Sequence, residues 1–298
     1  MPGGSSDAPL WCAVADSGTS SSTERARLAA LITGQVERPD RVLLVTCQRV
    51  ELYGVGAPAS PDPAMRLLIG EPAVRRLFRI AAGLESHVTG EDEVLGQVRA
   101  ASAQRAPTAR DPRLRRLFES AVAAGRRCRA GRGPTGNSLA VLGARALLEM
   151  SDALDRPFMV AGAGYMGAAL ALSLRRRVPS LTVASRNLQR AEALAVKVGG
   201  SAMTLGDAAE LAPAAGGLAV ALAGPWPAKF AARSLPPTVD LSSPPALPDE
   251  ACRKYSGIDQ FLAGGRVDHG DYLIRASTVV DAAVASFVDS LVTRPVAV

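Results

Sequence analysis

Cys47 stands in the run Thr46-Cys47-Gln48-Arg49, between two short stretches, Val42–Val45 and Val50–Val55, that are rich in apolar and β-branched residues. Stretches of that length and composition form strands, so the cysteine is held at the end of a rigid element and opens onto the surface. With an arginine two residues away to favour its thiolate, such a thiol has the setting of a nucleophile. The competing reading is a small buried hydrophobe, the usual state of a free cysteine.

A second constellation lies further along. The run Phe158–Ala161 reads as a strand and leads into Gly162-Ala163-Gly164-Tyr165-Met166-Gly167, an alanine-rich helix and a second strand at Leu181–Ala184. Glycines so placed permit a tight turn and let a pyrophosphate rest on the helix N-terminus, which is how dinucleotides are held. After the second strand an NAD site usually offers an acidic group to the ribose, whereas this chain has Ser185-Arg186-Asn187. Arginine there suits a 2′-phosphate, so NADPH is expected over NADH. A merely solvated Arg186 is the alternative. A thiol in one domain and a nicotinamide in another imply acyl capture as a thioester, which hydride reduces to an aldehyde.

The elements that must position these groups follow from patterning. Leu10–Ala15 reads as a strand, and Thr23–Ile32 as a helix capped by Thr23. Next come the hairpin around Cys47, a loop over Pro58–Pro63 and a helix over Glu71–Leu84. The expected architecture is α/β. An N-terminal α+β catalytic domain covers 1–137, a Rossmann-type NADP-binding domain covers 138–269, and a long amphipathic helix fills 270–298. Asn137 or Ser138 is expected to cap a helix over Leu139–Leu154. At 298 residues the chain is long enough for two cores. Four scattered cysteines signal neither a zinc site nor a disulfide framework. With no spanning apolar run and no leader pattern, a reduced cytoplasmic setting without membrane insertion is expected.

The net charge is +6, and apart from Lys197, Lys229 and Lys254 every cation is arginine, a weak lean toward anionic partners. Ten of these arginines fall between Arg99 and Arg132, against only Asp111 and Glu119. That density fits contact with RNA phosphates, or equally a solvated helical face. The stretch Gly83–Gln97 mixes glycine with Ser86, Glu91, Asp92, Glu93 and Gln97 ahead of a helix over roughly Glu91–Gln104. On residue types alone it is an ordinary helix entry, its acids favouring the dipole.

Taken together, these motifs resemble the glutamyl-tRNA reductase family. TCQRVELY at Thr46–Tyr53 is similar to the family's TCNRxE(L/I)Y, Gly83–Gln97 to GLxSxVxGExxIxGQ, and Gly162–Gly167 to GAGxMG. Ser185-Arg186-Asn187 corresponds to the family's NRT, and Tyr255–Leu262 to YxxDDL. The resemblance implies that Cys47 takes a glutamyl group from tRNA and that NADPH reduces it to glutamate-1-semialdehyde for tetrapyrrole synthesis. A downstream aminomutase would be a partner. Thr46, Gln48, Arg49, Ser86, Glu91, Asp92, Glu93 and Gln97 would line the substrate pocket, Arg49 gripping a carboxylate. The cofactor would contact Gly162, Ala163, Gly164, Tyr165, Met166, Gly167, Ser185, Arg186 and Asn187.

The chain also departs from the family. Val14-Ala15-Asp16-Ser17 stand where the family has NHK(T/S), Arg76 falls on the position of an assisting histidine, and Ala223-Gly224 replace a Ser-Thr pair. The histidines are His87 and His269; His87 lies within the substrate stretch and is a candidate for acid/base work or an exposed loop residue. The family's long C-terminal helix continues into a dimerisation domain, so a monomer, or a dimer built otherwise, is expected here. Two rivals to the glutamyl-tRNA reading stand: a divergent paralogue acting on another aminoacyl-tRNA or acyl thioester, and a non-catalytic binding or regulatory protein.

Overall fold

The structure is a computed structural model that describes residues 8–34, 38–103, 111–130, 138–264, 267 and 270–293. Asn137, His269, Arg105, Arg110 and Arg132 lie outside the described residues. The chain divides into two compact units, Met1–Thr135 with Arg266–Val298, and Gly136–Gly265. The C-terminal helix, expected to stand apart from both domains, therefore belongs to the first unit.

In the first unit, β1 (Leu10–Asp16), β2 (Arg41–Val45), β3 (Arg49–Val55) and β4 (Arg66–Ile69) form an antiparallel sheet in the order β2-β3-β1-β4. The strand β4 follows the proline-rich loop and was not expected from the sequence. Period-two alternation sends Leu10, Cys12 and Val14 of β1 to one face and Trp11, Ala13 and Ala15 to the other. Both faces are covered, which is why β1 reads as a continuous apolar run. Helix α1 (Ser22–Ile32) covers the second face with Leu28 and Ile32. Its cap is Ser21, whose hydroxyl accepts from Glu24 N at 3.2 Å, rather than Thr23.

The first face is covered by α2 (Glu71–Ala81), α3 (Glu93–Ser102), α4 (Pro112–Arg129) and α10 (Gly270–Thr293). Tyr272, Ala276, Val280, Val284 and Phe287 follow the helical spacing along α10 and are buried there. Phe287 meets Phe78 of α2 with ring centroids 5.8 Å apart, and the Tyr272 hydroxyl donates to Ala82 O at 2.6 Å. Helix α2 ends three residues before the expected Leu84 because Gly83 adopts φ +74. A Cβ at Gly83 would lie 2.8 Å from Gly90 Cα, so the loop Gly83–Asp92 folds back tightly on itself. Val267 returns the chain to this unit and bridges to Val88, its N–H donating to His87 O at 2.9 Å.

The second unit opens with α5 (Leu139–Met150), capped by Ser138. Strands β5 (Phe158–Ala161), β6 (Leu181–Ser185), β7 (Ser201–Thr204), β8 (Gly217–Val220), β9 (Thr238–Asp240) and β10 (Tyr255–Gly257) form an entirely parallel sheet in the order β10-β9-β8-β5-β6-β7. With α6 (Tyr165–Leu174), α7 (Leu188–Val198), α8 (Leu205–Leu211) and α9 (Ile258–Ala263) as the other α-helices described in this unit, this is the doubly wound order whose direction of winding reverses between β5 and β8. Ligands of such sheets bind beyond the carboxyl ends of the strands at that reversal. Among the described residues no helix is long and apolar enough to cross a membrane.

Candidate active site

The tight connection between β2 and β3 presents Cys47. Thr46 N donates to Arg49 O at 2.9 Å, Gln48 N to Thr46 Oγ1 at 3.1 Å, and Ser17 N to Gln48 O at 2.9 Å. Arg25, buried on α1, reaches across and donates from NH2 to Cys47 O at 2.8 Å. The backbone of the cysteine is thus fixed from several directions, and its side chain is half-buried.

Electrostatics around the sulfur differ from the expectation that Arg49 would favour a thiolate. Burial, followed by the charges of Glu91 and Glu93, pushes the Cys47 thiol up to about 12, against the opposing pull of Arg49 and Arg25. Desolvation and two carboxylates outweigh two guanidiniums. The thiol is therefore protonated at neutral pH and needs a base before it can attack.

The Gly83–Asp92 loop and the start of α3 face this turn. The Gln48 side chain joins the two segments: its Oε1 accepts from His87 N at 2.8 Å and its Nε2 donates to Glu91 Oε2 at 3.1 Å. Glu91 is buried, and burial raises its carboxyl despite Arg49 and Gln48. Ser86 is fully buried in the same loop, and His87 is buried rather than exposed. Asp92 accepts from Arg129 Nε at 3.1 Å. Glu93 is the first residue of α3, half-buried, and its side chain has neither a hydrogen bond nor an ion pair among the described residues. Burial, then Glu91 and Asp92, raise its carboxyl to about 8. Gln97, half-buried, lies one turn further along α3, on the side of Glu93.

Arg49 is 1% exposed. Its NH2 donates to Glu85 O at 2.7 Å, while Nε and NH1 are buried without any partner. Leaving two donor nitrogens of a buried cation unpaired is costly, and an anionic oxygen acceptor would relieve that cost at either of them.

Arg76, at the position where the resemblance places a histidine, performs no proton transfer. Its guanidinium is locked by Glu51 Oε1 at 2.8 Å, Glu85 Oε2 at 2.9 Å and Asp16 Oδ2 at 2.9 Å. Burial works against its charge, but Glu51 and Glu85 prevail and raise its pKa further. Glu51 in turn accepts from the Tyr53 hydroxyl at 2.7 Å. Glu85 is shared: its side chain is held by Arg76 and Arg79, and its carbonyl holds Arg49.

Sequence reasoning did not single out Arg25, Asp16, Glu51 or Glu85. Arg25 carried a signal, since it falls at the i, i+3, i+7 spacing of Leu28 and Ile32 on the buried face of α1. The three carboxylates come from separate elements, and nothing local announces that they meet.

In the second unit, Gly162 has φ +118 and a Cβ there would lie 2.1 Å from Ala221 O. A Cβ at Gly167 would lie 1.9 Å from Gly162 O, so that glycine closes helix α6 against the turn. Gly164, the N-cap of α6, has nothing within 4 Å of where a Cβ would stand. Ala163 is half-buried and Tyr165 is exposed, as the first residue of α6; Met166 follows, half-buried. An open cradle at a helix N-terminus, at the reversal point of a doubly wound sheet, fits a dinucleotide pyrophosphate. Ser185 Oγ accepts from Asn187 N at 3.2 Å, and Asn187 caps α7 by accepting from Arg190 N at 3.0 Å. Arg186 is exposed, with NH2 donating to Ala223 O at 3.0 Å. Asp240, buried at the end of β9, spends its carboxylate on the N–H groups of Ser242, Ala246 and Leu247 and so shapes the loop beyond that strand.

Comparison with known proteins bears on the first unit above all. Residues 14–131 match the family model described as glutamyl-tRNAGlu reductase, N-terminal domain. A glutamyl-tRNA reductase of Rubrobacter xylanophilus is 39% identical over 198 residues, covering 57% of this chain and 45% of the relative. One of Thermus thermophilus is 37% identical over 182 residues, with 55% and 46% covered. The chain thus spans about half the length of the curated relatives it matches. Among solved structures, glutamyl-tRNA reductase from Methanopyrus kandleri covers 95% of this chain, with 79% of its own length covered, at 24% identity and a TM-score of 0.46.

Proposed function

We propose that the chain captures an aminoacyl group from tRNA, glutamyl first among candidates, on Cys47 and reduces it to an aldehyde, a reading supported by the match of residues 14–131 to the N-terminal domain of glutamyl-tRNA reductase. The observation that carries this reading is Arg49, buried beside Cys47 with Nε and NH1 unpaired. A glutamyl side-chain carboxylate would pair with this buried cation and accept from one of the two nitrogens. Gln48, itself held by His87 N and Glu91, and Thr46 complete the wall around the sulfur.

The step on the protein is acyl transfer. The Cys47 sulfur attacks the ester carbonyl, a C–S bond forms, the ester C–O bond breaks, and the ribose oxygen leaves. The thiol proton needs an acceptor, and Glu93 is the unpaired carboxyl near it, raised to about 8 so that it can both take a proton and return it to the leaving oxygen. Arg25, donating to the carbonyl of Cys47, keeps the turn in place through the step.

The loop Gly162–Gly167 would hold the cofactor pyrophosphate, and Arg186 would meet a 2′-phosphate, which supports NADPH. A nicotinamide bound there supplies the hydride that turns a thioester carbonyl into an aldehyde, with the thiol as leaving group. With a glutamyl group the product is glutamate-1-semialdehyde, to be consumed by an aminomutase.

A second reading is favoured by Arg76. With the family's histidine replaced by a caged arginine, the pocket is rebuilt, which suits a paralogue acting on another aminoacyl group. One experiment separates the two. Wild type and Cys47→Ser are exposed to individually charged tRNAs and weighed intact. A +glutamyl adduct on wild type alone supports the first reading, an adduct from a different charged tRNA supports the second, and no adduct from any of them removes both.

A further inference from the structure

Helix α4 carries a stripe of arginines that the chemistry above does not use. Arg115 and Arg126 stand eleven residues apart, as do Arg116 and Arg127. Eleven residues is close to three full helical turns, so each pair repeats at nearly the same azimuth about 16 Å apart. The two rows lie about 100° from one another and form one outward band. Arg115, Arg126 and Arg127 are exposed and Arg116 is half-exposed, its guanidinium 5.9 Å from the centre of the Phe287 ring. None of the four has an ion-pair partner among the described residues, although Arg113 and Arg129 on the same helix are paired, with Asp111 and Asp92. Glu119 stands in the band between the rows and is exposed.

The position of the band matters more than its charge. Arg129, in the last turn of α4, donates to Ala81 O at 2.6 Å and to Glu91 O, and pairs with Asp92, so that end of the helix is tied to the loop that walls Cys47. Arg126 and Arg127 therefore stand next to the rim of the cleft, and Arg115 and Arg116 lie outward from it along the same axis. Arg116 and Arg127 also edge a groove of about 500 Å3 against α10, lined with the hydroxyls of Ser120, Ser286 and Ser290. An aminoacyl ester can reach Cys47 only with its polynucleotide attached, so a polyanion must leave the cleft past this rim. Guanidinium forks are the side chains best suited to phosphate.

We infer that the band Arg115, Arg116, Arg126 and Arg127 is the track on which the phosphate backbone of the substrate RNA lies. This rests on the aminoacyl-tRNA reading above and adds the surface that reads the RNA body. It excludes an acidic protein as the occupant.

The test uses the full chain, deacylated tRNA as the binding probe, and a variant with all four arginines changed to Gln. Removing four phosphate contacts should weaken tRNA binding at low salt by at least ~30-fold and flatten the dependence of log affinity on log salt by about three units. Glu119→Gln should tighten binding, because it deletes the negative charge in the band. Iodoacetamide labelling of Cys47, a reaction without RNA, should keep its wild-type rate and so reports that the fold is intact; if it does not, the two double variants, Arg115→Gln with Arg126→Gln and Arg116→Gln with Arg127→Gln, are measured instead. Unchanged affinity and salt slope in labelling-competent variants overturn the inference, as does displacement of tRNA by polyglutamate at equal charge. The two readings fail separately. If charged tRNA leaves an acyl group on Cys47 while binding ignores the arginines, the track is wrong. If no charged tRNA acylates Cys47 while binding depends on them, the enzymatic reading is wrong and the RNA surface stands.

Discussion

Arg49 and Glu85 meet through a side chain and a backbone: the arginine NH2 donates to the Glu85 carbonyl at 2.7 Å and more weakly to Gln48 Oε1 at 3.5 Å, while Nε and NH1 are buried without a partner. Since the Glu85 carboxylate is itself held by Arg76 and Arg79, the orientation of the Arg49 guanidinium depends on a loop anchored by two other arginines.

The first prediction follows from that geometry. Arg49→Lys keeps the charge but loses the fixed guanidinium N–H donors, so formation of the Cys47 adduct from an acyl donor bearing a carboxylate should fall by about 10- to 100-fold, the worth of one charge-assisted hydrogen bond. A donor whose side chain lacks a carboxylate should be nearly indifferent to the change. Equal losses for both donors, measured by intact mass against time, would contradict the assignment.

The second concerns the proton. With the thiol pushed up to about 12, alkylation of Cys47 by iodoacetamide should climb about tenfold per pH unit between 7 and 9 without reaching a plateau. Glu93→Gln removes a carboxylate that raises the thiol, so alkylation above pH 8 should become a few-fold faster. The same substitution should slow acylation by the natural ester about 10- to 100-fold, because the base is gone. If both reactions move in the same direction, Glu93 is not the proton acceptor.

Glu93 also makes a stability prediction whose sign is fixed. Its folded-state pKa, about 8, lies above the ordinary carboxylate value, so the folded protein keeps a proton that the unfolded chain releases. Its contribution is intact below about pH 4 and is lost as the pH rises toward 8. Glu93→Gln should therefore raise the Tm relative to wild type at pH 8.5 and leave it unchanged at pH 4, as read by calorimetry.

Arg76→His tests the carboxylate cage. At pH 8 a neutral imidazole would leave Asp16, Glu51 and Glu85 without their shared cation, at a cost of about 3–5 kcal/mol. Imidazole held among carboxylates gains a proton as the pH falls, so the loss should be smaller at pH 5.5 than at pH 8. Denaturant unfolding at the two values checks it; a larger loss at the lower pH would show that the cage does not need a cation.

In the second unit the glycines should behave unequally. Gly167→Ala drives a Cβ to 1.9 Å from Gly162 O and should destabilise the unit, whereas Gly164→Ala meets nothing within 4 Å and should leave the melting unchanged. Gly164→Ala should nevertheless weaken NADPH binding about tenfold, because the added methyl fills the cradle. Arg186→Glu should shift preference toward NADH. Cofactor fluorescence titration reads both effects.

What the sequence made legible was local. The strand pair around Cys47 could be read from β-branched runs, and the glycine turn from its place between a strand and a helix; both elements form where expected, at Arg41–Val55 and Phe158–Leu174. The state of the sulfur could not be read, because it is set by burial and by Glu91 and Glu93, which are more than forty residues away. Arg49, two residues off, was visible, and its pull proved the weaker one. The cage about Arg76 escaped for the same reason: Asp16, Glu51 and Glu85 look like surface acids until β1, β3 and the loop after α2 bring them to one cation. Strand β4 was missed because a short run after a proline-rich loop has no periodicity long enough to read.

The return of α10 to the first unit has a practical meaning. The parallel-sheet unit is an insert, entered after Thr135 and left before Arg266, so the protein cannot be split at one point into two self-sufficient halves. Expressing residues 1–135 alone would strip Phe78 of Phe287 and Ala82 of the Tyr272 hydroxyl, and such a fragment should go to inclusion bodies. Keeping α10 together with residues 1–135 while removing 136–265 would instead retain that greasy seam, so that the Cys47 thiol could be probed apart from the second unit.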